Sequence, residues 1–193
     1  MKLNKAQLLK ELSITVTQNL QTFEVLIRDH YTSLNIKPNE HSWSVLQIVE
    51  HLNTYNNYYL PAIEKALSQS TISPFNKSEV FKPGLLGNYF VKMMLPDTEG
   101  SITKKYKAAK WHAPLNTNAD EVIGNYIKGQ QQLLQLLDRA ANYDLNAIRI
   151  PTSLNKLIRI KTEDAFRFLI AHQQRHFVQV QNTLSIVLHH QEA

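Results

Sequence analysis

Apolar residues recur along this chain with a helical period in four long segments. Leu9, Leu12, Val16, Leu20, Phe23, Ile27 and Tyr31 follow spacings of three and four, which predicts an amphipathic helix from about residue 4 to 33. The stretch NIKPNEH ends it. A second helix is predicted to begin within SWSVLQIVEHL and runs to about Leu67 on Val45, Ile48, Leu52, Tyr55, Tyr59, Ala62 and Ala66. Ser44 is its cap, Gln47 can close a capping box, and Trp43 and Ile48 are spaced as a hydrophobic staple. The third helix starts at NADE with Asn118 as cap and extends to about Ala141, on Val122, Tyr126, Ile127, Gln130, Leu133, Leu134 and Leu137. The fourth follows Thr162, read as its cap, and reaches about His189, with Glu163 and Asp164 placed to suit the helix dipole.

Residues 69 to 117 break the pattern. Proline, glycine, serine and asparagine recur there, and Leu85 to Met94 alone can form a short helix, packed over one end of the core. So long a connection lets the second and third helices run parallel instead of as a tight hairpin. The expected fold is all-α, a four-helix bundle with a long crossover between the second and third helices, in one domain over residues 1–193.

Composition narrows the function classes. Hydrophobic residues make up 43% and charged residues 19%, a globular balance. There is no cysteine, which excludes disulfides, thiolate zinc sites and a cysteine nucleophile. The N-terminal segment has no unbroken apolar core of a leader peptide, and no run reaches the roughly 20 apolar residues of a membrane span. A cytoplasmic protein without a membrane partner is expected. The net charge of +5 is scattered, its nearest cluster being KKYKAAK at Lys104 to Lys110, and no nucleic-acid-binding module accompanies it. No nucleic-acid partner is expected.

The candidate chemistry lies in AHQQRHFVQVQ, Ala171 to Gln181. At 100° per residue, Ala165, Leu169, Val180, Thr183 and Val187 project within about 60° of one another, and His172 and His176 fall in or beside that sector. Arg175 and Gln174 project to the other side. A lone core histidine is ordinarily a satisfied structural group. Two buried imidazoles one turn apart are costly, because each unpaired polar group costs about 1–3 kcal/mol and like charges repel at low dielectric. Their Cβ atoms are roughly 5–6 Å apart, so both can reach one metal ion. His51, between Ile48 and Tyr55 and one to two turns inside the second helix, is the expected third ligand. His30 is the second choice, against the alternative of a histidine stabilised at a helix C-terminus. His41, His112, His189 and His190 read as surface residues. No Glu-x-x-His or His-Glu-x-x-His occurs, which argues against a ferritin-like di-iron centre and excludes zincin proteolysis.

These residues resemble the DinB-like (YfiT-like) superfamily of metal-dependent enzymes. The likeness rests on SWSVLQIVEHL, on HQQRHFVQ as His-x3-His-x2-Gln, and on four helices with a long central connection; KYKAAKWHAP also looks like the family's central loop. The resemblance implies one divalent ion, nickel or zinc first and manganese or iron after them, held by His51, His172 and His176. It also implies that Gln179 orients a ligand or a bound water, and that the protein is a homodimer. Characterised members include transferases and isomerases that use a low-molecular-weight thiol. The expected function is thus metal-dependent transfer with a thiol cosubstrate onto a small-molecule substrate. The alternatives are a hydrolase using water on the metal and a non-catalytic metal-binding or interaction protein. No general base is evident; Tyr55 and Gln47, one turn either side of His51, are the nearest candidates, with Tyr55 also readable as core.

Overall fold

A computed structural model of the chain describes residues 2–70, 79–97, 100–102, 104 and 106–192. The protein is mainly α-helical. Its helices are α1 (Lys5–His30), α2 (Val45–Ser68), α3 (Leu85–Met94), α4 (Ala119–Ala140) and α5 (Thr162–Glu192). The predicted caps form where the spacing placed them. Ser44 Oγ accepts from the Gln47 amide at 3.2 Å while Gln47 Oε1 accepts from the Ser44 amide at 3.1 Å, closing the capping box. Asn118 Oδ1 accepts from the Glu121 amide at 3.1 Å.

Thr162 behaves differently from the cap expected of it. It is the first residue of α5, and its hydroxyl donates to the Ile148 carbonyl at 3.2 Å. The reason is a short hairpin absent from the all-α expectation. Strands β3 (Arg149–Pro151) and β4 (Arg159–Lys161) pair antiparallel with Ile150 opposite Ile160, both buried, and feed α5 directly. A second antiparallel pair joins β1 (Leu3–Asn4) to β2 (Val80–Phe81) and ties the start of α1 to the central connection. Strands of two or three residues carry too little alternation to be read from sequence.

The four long helices bury one another: α1 packs on α4 and α5, and α2 packs on the same two. Asn53 Nδ2 donates to the Val122 carbonyl, and further along Glu64 accepts from Gln132 and Arg139. The register therefore advances together on α2 and α4, so these neighbours run in the same direction. The connection between them supplies α3, which lies on α5; residues 71–78, 98–99, 103 and 105 of that connection, part of the expected basic loop included, are outside the described residues.

The core divides in two. One apolar cluster takes Leu9 and Val16 of α1, Tyr55 to Leu67 of α2, Leu133 to Ala140 of α4 and Ala165 to Ala171 of α5. The other takes Phe23 and Leu26, Val45 to Leu52, Val122 to Tyr126, and Phe177 to Leu184. Between them each long helix contributes polar side chains: Asn19, Asn53, Gln130, and on α5 His172, Gln173 and His176. Nonpolar packing above and below this belt fixes its height within the protein.

The seat of α3 is equally tight. Asp164, in the first turn of α5, is buried, and its Oδ2 accepts from the Gly84 amide at 2.8 Å while Oδ1 accepts from Arg167 at 2.9 Å. A Cβ added at Gly87 would stand 2.5 Å from Asp164 Cβ, Cγ and Oδ2. Gly87→Ala should lower stability by about 1–3 kcal/mol through overpacking, despite the roughly 1 kcal/mol that alanine gains in helix propensity. Urea unfolding reads the difference, and an unchanged or higher midpoint would mean that α3 does not approach α5 this closely.

Candidate metal centre

Helix geometry brings three imidazoles to one point. His172 and His176 are one turn apart on the inner face of α5, and His51 faces them from α2, two turns after the Ser44 cap. They are 3%, 8% and 3% exposed for His172, His176 and His51 respectively. One ring nitrogen from each lies within 4.8 Å of the other two. Ring centroids are 4.5 Å apart for His172 and His176, 5.2 Å for His51 and His172, and 4.8 Å for His51 and His176.

Hydrogen bonds set the free nitrogens. His51 Nδ1 sits 2.6 Å from the His112 carbonyl, an acceptor only, so Nδ1 carries the proton and Nε2 keeps its lone pair. His176 Nδ1 donates to Gln179 Oε1 at 2.8 Å, which leaves its Nε2 as a lone pair too. That atom lies 3.1 Å from His172 Nε2. Two ligands at about 2.0–2.1 Å from a zinc-like ion stand about 3 Å apart or slightly more, so this separation fits the donor set to a divalent cation. His172 Nδ1 is buried and has no partner among the described residues. Moving the His172 proton from Nε2 to Nδ1 completes a set of three lone pairs facing inward. The residues present therefore fit a metal ion.

Aromatic rings wall the cluster. Trp43 lies 5.1 Å from His51, Tyr55 4.2 Å from His172, and Phe168 stacks on His172 at 5.8 Å. Burial holds every imidazole below its ordinary pKa: His51 and His172 are lowered, and His176 falls to about 3. Burial pushes the Tyr55 phenol up to about 12, so it keeps its proton at neutral pH.

His112 is the correction. It was read as a surface residue, and it is 2% exposed beside the cluster. The 3-10 turn Lys110–His112 folds over α2 and stacks the ring on Tyr55 at 3.8 Å. Thr54 Oγ donates to the His51 carbonyl at 2.7 Å, so the 2.9 Å contact between Thr54 Oγ and His112 Nδ1 has the imidazole as donor. His112 Nε2 is then a buried acceptor without a partner. A loop histidine has no periodicity to betray this; the aromatic residue before it and the proline soon after were the available signal. His30 ends α1 half-buried and outside the cluster, and His41, His189 and His190 are exposed. Gln47 is occupied by its capping box. Arg175, expected on the wet side of α5, is buried, because α3 and the segment around Tyr106 cover that flank.

A sequence model of the DinB superfamily matches residues 15–180. No curated protein and no solved structure matches the chain. The matched span holds all three histidines and Gln179.

The depressed imidazoles make stability depend on pH. An unfolded histidine takes up its proton near 6.5, while here His112 does so near 4 and His176 near 3. Below 6.5 the unfolded state binds more protons, so folding stability falls as pH falls, by up to about 1.4 kcal/mol per histidine per pH unit. From His112 and His176 alone, metal-free protein should lose about 3 kcal/mol between pH 6.5 and 5, before the opposing contribution of Glu163. Glu163, raised to about 8 by burial, works in the opposite sense over that range. Comparison with a His172→Gln, His176→Gln variant isolates the histidines: its profile should be shallower, and parallel profiles in denaturant titrations would count against the buried neutral cluster.

Proposed function

The chain belongs to the DinB superfamily, and on that premise we propose that it is a metal-dependent transferase that uses a low-molecular-weight thiol on a small-molecule substrate. The architecture we assign is the four-helix bundle of α1, α2, α4 and α5, with the α2-to-α4 connection as its crossover. The observation that carries the reading is a set of three buried histidines whose ring nitrogens converge, with no fourth histidine or carboxylate joining them among the described residues. Three protein ligands leave a position open, which is the arrangement of a catalytic site and not of a closed structural one. Nickel or zinc suits imidazole donors best.

His51, His172 and His176 would hold a divalent ion, which would supply a lowered thiol pKa and so a sulfur nucleophile near neutral pH. The chain's own groups do the rest. The His112 carbonyl and Gln179 hold the rings of His51 and His176 in the tautomer that turns Nε2 inward. Tyr55 retains its proton and, among the described residues, no hydrogen bond uses its hydroxyl, so its O–H serves as a donor to the electrophile. Trp43, Tyr55 and Phe168 keep the surroundings apolar, which strengthens each of these interactions.

Purified protein should carry one ion per chain, and His172→Ala should lose it. Chelation should lower the melting temperature, since an ion at a hundredfold its Kd adds about 2.7 kcal/mol of stability. Conjugation of small thiols to a chloro-aromatic electrophile should fall at least tenfold in His51→Ala. Equal rates in the two proteins remove the transferase, and metal-dependent ester hydrolysis without thiol dependence would replace it with the hydrolase.

A further inference from the structure

Arg175 stands on α5 between His172 and His176, yet it is 8% exposed. Its Nη2 donates to the Lys104 carbonyl, and its Cζ lies 5.2 Å from the centroid of the Tyr106 ring. Among the described residues no carboxylate pairs with it; the ion pairs there join Arg28 to Asp29, Arg139 to Glu64 and Arg167 to Asp164. A guanidinium has five N–H donors in a fork suited to two parallel oxygens, and one carbonyl takes only one of them. A buried cation without a counter-ion is costly to keep, and such a group is ordinarily paired.

The rest of that fork borders a cavity of about 350 Å³. Tyr89 and Lys92 of α3 line it, with Lys104, Tyr106 and Arg175, and among the described residues no aspartate or glutamate is in its wall. Three cations, two tyrosine rings and a volume within the range of small-molecule sites describe a place for an organic anion. Position on the helix relates it to the metal centre. Arg175 follows His172 by three residues, so their Cβ atoms are about 5–6 Å apart.

We propose that this cavity is a carboxylate subsite in which Arg175 grips the substrate or thiol by its carboxylate, with Lys92 and Lys104 adding charge at the mouth. This rests on the metal-dependent transfer proposed above for its placement beside the histidines, but not for its chemistry. Carboxylate is favoured over phosphate because the site offers one planar fork and aromatic faces, whereas phosphate sites are typically cradled by backbone amides at a helix N-terminus.

The test uses the full chain, stripped of metal with 1,10-phenanthroline, a neutral chelator that adds no competing carboxylate. Malonate, malonamide and inorganic phosphate are titrated calorimetrically at low salt. Malonate should bind with a millimolar Kd, malonamide should give no heat, and phosphate should bind more weakly than malonate. Arg175→Gln should weaken malonate at least tenfold while its circular dichroism and metal uptake match the parent. Arg175→Lys, which keeps the charge and loses the fork, and the exposed Lys92→Gln should each weaken it about threefold or more, and they carry the test if Arg175→Gln fails to fold. Unchanged malonate affinity in these variants, or no binding by the parent, overturns the subsite; tighter phosphate overturns its chemistry. Because the protein is metal-free, the two readings fail separately: absence of thiol transfer leaves the malonate result intact, and absence of malonate binding overturns the subsite without overturning the transferase.

Discussion

Nε2 of His172 and His176 lie 3.1 Å apart in a buried site, and the structure around them depends on keeping both rings uncharged. Two imidazolium ions at that separation would repel strongly at interior dielectric, on top of the cost of desolvating each. Burial instead leaves lone pairs, which are what a cation needs. The same condition that makes the pair expensive as plain core makes it suitable as a ligand set. His51 completes it because the capping box at Ser44 starts α2 at a defined residue, which fixes how far inside the protein the seventh helical position lies.

Tautomer control comes from outside the trio. The His112 carbonyl is an acceptor that cannot reverse its role, so His51 has one choice of protonated nitrogen. Gln179 Oε1 accepts from His176 Nδ1 from the next turn of α5 and so favours the matching tautomer there. His172 has no such partner, and Nδ1 is the nitrogen left over. Two arms are thus preset and the third is free to change its proton. Much of the preorganisation resides in a short 3-10 turn and in a residue three positions away, not in the histidines themselves.

This division explains what sequence could reveal. The long helices, their caps and the inward rotation of His172 and His176 follow from local periodicity, which reports the face of a helix and nothing further. Arg175 shows the limit: projection put it away from the four-helix interface, correctly, but α3 covers that flank and buries it. His112 lies outside any helix, so only the loop's path over α2 could place it against Tyr55. The β3–β4 hairpin likewise depends on pairing across several residues, with three-residue strands too short to announce themselves. Site geometry carried by secondary structure was legible; geometry carried by loops was not.

The polar belt gives a physical reason for where the site lies. Among the described residues Gln130 and Gln173 are buried with both amide atoms unpaired, as are Asn53 Oδ1 and the Tyr126 hydroxyl, and each such group costs about 1–3 kcal/mol if water does not reach it. A chain selected for stability alone would fill this layer with leucine and join the two apolar clusters into one. Local rules are broken here on all the long helices at one height, where the histidines are, and kept above and below it. The apolar clusters supply the stability that the belt lacks, and they also hold α5 rigidly enough that one of its turns serves two environments. His172 and His176 face the interior from that turn, and Arg175 faces the cavity under α3. The distance between those two environments is then set by helix geometry and not by a loop, which is the firmest ruler this chain has.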